Sequence, residues 1–131
     1  MKTLIIVPAY NEEGSIVATI EELRNTVPDV DYVIVDDGSK DATRRLCEEH
    51  GYVIVSHPVN LGLTGAFQTG MKYACRNGYD IALQLDADGQ HVPSYVPRII
   101  DTMQRERADI VIGSRFVSEK KPFSARMLGS N

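Results

Sequence analysis

Short apolar runs alternate along this chain with longer stretches in which apolar positions recur every three or four residues. Thr3 to Pro8 is a continuous apolar run, and Ile16, Ile20, Leu23 and Val27 then recur at helical spacing until Pro28. Tyr32 to Asp36 reads as a second strand. Ser39 or Asp41 is placed to cap a helix that turns Leu46 inward and stops at Gly51. Tyr52 to Ser56 is the third strand, and Leu63, Ala66, Phe67, Met71 and Ala74 mark a helix ending near Gly78. Ile81 to Asp86, a helix over Pro93 to Arg107, and a strand over Asp109 to Gly113 complete the order βαβαβαβαβ. Strands apolar on both faces, each followed by a helix, predict an α/β fold with a mostly parallel sheet and helices on both faces.

At 131 residues the chain fits one domain, and its 43% apolar and 24% charged residues are those of an ordinary globular protein. The longest apolar runs, such as Leu4 to Val7, are too short to cross a bilayer, and no charged-then-apolar leader opens the chain; the expected location is the cytoplasm. Cys47 and Cys75 lack metal-type spacing and read as small core residues. The net charge of −4 is unevenly spread, because residues 115–131 hold Arg115, Lys120, Lys121 and Arg126 against Glu119 alone. No basic, aromatic-rich face supports nucleic-acid binding.

The chemistry concentrates where strands end. In an open parallel sheet ligands sit outside the carboxyl ends of the strands. Here those ends are Pro8-Ala9-Tyr10-Asn11-Glu12, Asp36-Asp37-Gly38-Ser39, Asn60-Leu61-Gly62, Asp86-Ala87-Asp88 and Gly113-Ser114-Arg115. Asp86 and Asp88 are two residues apart, so in an extended segment they share a face and can converge on one hard cation, Mg2+ or Mn2+. Gln90 can add an amide oxygen. An Asp-x-Asp alone reads equally as a solvated turn; five polar strand ends on one edge favour a nucleotide-type site. The first strand is not followed by G-x-G-x-x-G, and Gly65 and Gly70 are not followed by Lys-Ser/Thr, so phosphate binding falls to metal and arginine.

With "IIVPAYNEEGSI", "VIVDDGSKDAT", "NLGLTGA", "LQLDADGQH" and "IGSRF" in this order and spacing, the chain resembles the family 2 glycosyltransferases of GT-A fold, and among them the polyprenyl-phosphate sugar synthases. The resemblance implies a GT-A, Rossmann-like sheet that is C-terminally incomplete, with residues 1–114 as nucleotide-sugar-binding core and 115–131 as the start of a phosphate- and acceptor-side segment. It implies that Pro8, Ala9, Tyr10, Glu12, Val35 and Asp37 hold the nucleoside. Asp86, Asp88 and Gln90 would hold the cation, and Asp86, Ala87, Arg115 and Arg126 the diphosphate, with Asp88 and Arg115 carrying catalysis. The implied reaction is hexosyl transfer, with inversion, from a nucleotide-diphosphate sugar to a polyprenyl phosphate or a saccharide. A phosphate acceptor suits a chain in which no base candidate stands out after residue 91. In the longer protein the resemblance implies peripheral attachment at the inner face of the membrane; the edge exposed where this chain stops is expected to favour self-association.

A nucleotide-sugar-binding module without turnover, or a weakly active piece of a longer enzyme, fits the same motifs; a nucleotidyltransferase would open with a Gly-rich, basic first loop that is lacking here. Asp36 reads as a turn acceptor rather than a ligand, His50 and His57 as surface residues, His91 as a loop residue, and Asn60 and Gly62 as shapers of the third loop.

Overall fold

The computed structural model describes residues 2–85, 96–106 and 110–112. Five strands and four helices alternate: β1 (Thr3–Ala9), α1 (Ile16–Thr26), β2 (Asp31–Asp36), α2 (Thr43–Glu49), β3 (Ile54–Ser56), α3 (Gly62–Arg76), β4 (Ile81–Gln84), α4 (Val96–Glu106) and β5 (Ile110–Ile112). The strands form one parallel sheet in the order β3-β2-β1-β4-β5. After β1 the chain builds outwards on one side through β2 and β3, then returns across the sheet to place β4 on the other side of β1. This reversal opens a crevice between the carboxyl ends of β1 and β4, the usual ligand position in such sheets.

Strict alternation along β1 explains why it is central. Ile5, Val7 and Ala9 join one apolar cluster with Ile16, Ile20 and Leu23 of α1, Cys47 of α2 and Ile100 of α4. Leu4 and Ile6 point the other way, into a cluster with Val33, Val35 and Ala66 and Ala74 of α3. α3 sits close to the sheet because Gly70 faces Ile6, and a methyl at that position would collide with the isoleucine side chain.

Some sequence expectations need correction. Cys47 is buried, but Cys75 is exposed on α3. Leu63, near the start of α3, is also exposed, at 41%. Of the two residues expected to cap α2, Asp41 accepts the N–H of its first residue, Thr43, whereas the Ser39 hydroxyl accepts the Asn11 N–H. Residues 86–95 and 113–131, with Asp86, Ala87, Asp88, Gln90, His91, Arg115 and Arg126, lie outside the described residues.

Candidate functional site

The loops after β1 and β2 lock together at the carboxyl edge. Asn11 takes a left-handed conformation, φ +52°, which asparagine tolerates better than most residues. Its N–H donates to Ser39 Oγ at 2.9 Å, and its side-chain oxygen accepts the Lys40 N–H at 2.8 Å. The Glu12 N–H donates to Thr43 Oγ1 at 2.8 Å and the Glu13 N–H to Asp41 Oδ2 at 3.1 Å. Asp41 Oδ1 accepts both the N–H and the hydroxyl of Thr43. Burial acts to raise the Asp41 carboxyl, but the hydrogen bonds from Thr43 and Glu13 outweigh it and hold the group below the usual carboxylate range. Glu12 closes the turn: its carbonyl accepts the N–H groups of Ser15 and Ile16, and its carboxylate accepts the Ser15 hydroxyl.

This clamp presents the residues implied to hold a nucleoside. Pro8 is half-buried, Ala9 and Val35 are buried, and Tyr10 projects with 41% of its surface exposed. Pro8 and Val35 are register partners across β1 and β2.

Asp37 is buried and occupied. Its Oδ1 accepts the Leu61 N–H at 2.8 Å and faces His57 Nδ1 at 2.8 Å; its Oδ2 accepts the Gly62 N–H at 2.8 Å and the Asn60 side-chain N–H at 3.1 Å. Three N–H donors and the imidazole thus engage the two carboxylate oxygens. Asp37 anchors the segment after β3. The turn beside it fits as closely: a Cβ on Gly38, at φ +75°, would lie 2.5 Å from the Val59 carbonyl carbon. Asp36 accepts the Ser39 N–H, the turn role expected of it. Asn60 and Gly62 shape the third loop, and His50 is exposed, both as expected. His57 is not on the surface; its side chain is 8% exposed.

The sequence reading assigned no role to Asn11 or Thr43, gave Asp41 only a helix cap and placed His57 on the surface. Asn11 carried a faint signal as an asparagine at a strand end, where left-handed turns occur. His57 carried none, because both its partners are distant in sequence.

For the cation the described geometry fixes one anchor. The Leu85 N–H donates to the Ile6 carbonyl at 2.9 Å, so β4 is still paired with central β1 at the residue before Asp86. The donor set that follows in sequence, two carboxylates and an amide, consists entirely of oxygen and fits Mg2+ or Mn2+. Among the described residues no three His, Cys, Asp or Glu side chains gather to hold a metal, and no helix among them is long and apolar enough to cross a membrane.

The chain is 36% identical to an undecaprenyl-phosphate mannosyltransferase from Micrococcus luteus, over 98% of this chain and 56% of that protein. It is 35% identical to a polyprenol monophosphomannose synthase from Mycolicibacterium smegmatis, over 88% of this chain and 46% of the relative. It thus spans about half the length of the curated relatives it matches. Among solved structures it resembles glucosyl-3-phosphoglycerate synthase from Mycobacterium tuberculosis, crystallised with Mn2+, uridine-diphosphate-glucose and phosphoglyceric acid. That likeness has 26% identity and a TM-score of 0.57, over 78% of this chain and 39% of the other. The sheet is that of the GT-A glycosyltransferases. Residues 4–129 match the family model described as glycosyl transferase family 2, and the chain belongs to that family.

Proposed function

We propose that this chain carries the donor-binding part of a glycosyltransferase that moves a sugar from a nucleoside-diphosphate sugar to a polyprenyl phosphate. The observation that carries the reading is the carboxyl edge of the sheet, where the interlocked β1 and β2 loops lie across the switch point from the end of β4, immediately before Asp86 in sequence. The names of the two mannosyl-transferring relatives support the acceptor class. The Mn2+ and uridine-diphosphate-glucose in the structural neighbour support the donor class and the metal.

In this reading Pro8, Ala9, Tyr10, Glu12 and Val35 wall the nucleoside, and Asp37 serves them by fixing the Asn60–Gly62 loop. Asp86 and Asp88, with Gln90, hold Mg2+ or Mn2+, and Arg115 and Arg126 take the diphosphate with Ala87 alongside. The cation supplies Lewis-acid neutralisation of the charge that develops on the leaving diphosphate. An acceptor phosphate oxygen attacks the anomeric carbon as the bond to the diphosphate oxygen breaks, which inverts that carbon. A phosphate monoester, with a second pKa of about 6, needs no protein base at neutral pH. Because such acceptors reside in lipid, the reaction takes place at the inner face of the membrane.

Calorimetric titration of UDP and GDP, with and without Mn2+, tests the reading. Binding is expected to require Mn2+ and to be abolished by Asp88→Ala without loss of the fold, since removing one of two mutually repelling carboxylates relieves strain in the metal-free chain. Unchanged affinity in the variant would rule out the metal assignment.

A further inference from the structure

His57 stands at the carboxyl end of β3, where its N–H donates to the Asp36 carbonyl, and its ring lies between two other elements. Nδ1 is 2.8 Å from Asp37 Oδ1, and Nε2 is 2.7 Å from Thr69 Oγ1 on α3. A carboxylate brings no proton to the first contact, so Nδ1 carries the hydrogen, and Nε2 meets the Thr69 hydroxyl, which both donates and accepts. Nothing in the transfer reaction described above uses an imidazole, yet the side chain is buried with both nitrogens engaged.

The arrangement joins the seated middle of α3 to that helix's own N-terminal end and to Asn60 before it. Thr69 precedes Gly70, the residue at which α3 is seated against Ile6 with no room for a methyl. From this anchored point the contacts run through His57 to Asp37, and from Asp37 to the N–H groups of Leu61 and Gly62 and the side chain of Asn60. Without His57, Asp37 keeps the Leu61 and Gly62 N–H groups at the start of α3, and the carboxylate loses its tie to Thr69 in the middle of the helix.

We propose that His57 is a positioning residue for the donor edge: Thr69 holds its ring with Nδ1–H toward Asp37, and through Asp37 it sets the Asn60–Gly62 backbone beside which the nucleotide binds. The second half of this statement rests on the donor-binding reading; the first does not.

Amide hydrogen exchange on the whole chain separates the two. In His57→Leu, which keeps bulk but lacks a donor, the Leu61 and Gly62 amides are expected to exchange about tenfold faster or more, with Ile5 and Ile6 unchanged. His57→Asn, whose amide N–H replaces Nδ1–H, is expected to restore protection. Calorimetry with UDP or GDP and Mn2+ should follow the same order, weaker in the leucine variant and recovered in the asparagine one. Wild-type protection at Leu61 and Gly62 in His57→Leu, or equal loss in both variants, would overturn the positioning role. Should the wild-type chain bind neither nucleotide, the donor reading fails while the exchange data still decide whether His57 sets the loop. Nucleotide binding unchanged in His57→Leu would overturn its role at the donor edge. Should the leucine variant not fold, long-range 1H–15N correlation on the wild-type ring decides: the Nε2–H tautomer would overturn the proposal.

Discussion

Asp36 and Asp37 are neighbours in sequence, yet they serve opposite faces of the sheet. Asp36 lies on the side of α2, where its charge joins burial in pushing the Cys47 thiol up to about 11. Asp37 turns to the side of α3 and gathers the loop after β3. Removing Asp37 strands several donors at once, whereas removing Asp36 releases the Ser39 N–H at a turn. Asp37→Ala is therefore expected to cost about 3 kcal/mol or more of stability and Asp36→Ala about 1 kcal/mol, read from urea unfolding. Equal costs would show that the four contacts on Asp37 are not cooperative anchors. The Asp-Asp-Gly-Ser turn itself was legible in the sequence, as two carboxylates at a strand end. The division of work between them was not, because the partners of Asp37 are 20 to 25 residues further along the chain.

At the level of elements, the apolar periodicity located every strand and helix, since a parallel sheet covered on both faces leaves a continuous apolar run in each strand. The differences fall at the ends, where tertiary contacts rather than periodicity decide. Tyr52 was expected to begin the third strand, but its N–H bonds back to the Cys47 carbonyl, and its ring fills the core beside α1 and α2. Gly70 shows what periodicity cannot see. Nothing in the spacing of α3 distinguishes it from Gly65, whose Cβ would meet the side chain of Leu61 in the same turn, whereas Gly70 meets central β1. Gly70→Ala gains helix propensity worth about 1 kcal/mol. It must also push α3 off Ile6, an overpacking cost of about 1–3 kcal/mol. The net expected effect is destabilisation, together with a loosened Thr69 and weaker protection of the Leu61 amide; a more stable variant would show that the helix can shift freely on the sheet.

Across the whole molecule, the two edges of the sheet have different chemistry. The carboxyl edge carries the paired loops and the residues proposed for the donor. The amino edge carries tyrosines tied to carboxylates: the Tyr52 hydroxyl donates to Glu21 and the Tyr79 hydroxyl to Asp31, with the Lys2 ammonium 4.4 Å from the Tyr79 ring centre. A cavity of about 450 Å³ opens here, lined in part by Arg24, Tyr32, Tyr73 and Tyr79. Sequence motifs drew attention to the first edge and were silent on the second, because loops that bind phosphate and metal need fixed residue types at fixed spacing. A tyrosine–carboxylate bond asks only that two elements meet. Burial, and then the hydrogen bond to Asp31, push the Tyr79 phenol up to about 12; burial and the bond to Glu21 raise Tyr52 further. Since the folded state holds these protons more tightly than the unfolded chain, their stabilisation is complete below the ordinary phenol value of about 10 and is lost as pH rises through the folded values. Thermal melts should therefore fall steeply between about pH 10 and 12. In a Tyr52→Phe, Tyr79→Phe double variant the melting temperature should be lower at neutral pH, by the loss of two hydrogen bonds worth about 1 kcal/mol each, and the alkaline fall should be shallower. Mn2+-dependent nucleotide affinity at neutral pH should be unchanged, because the substitutions lie at the opposite edge of the sheet; a marked loss would show that the two edges are coupled through β1 and β2.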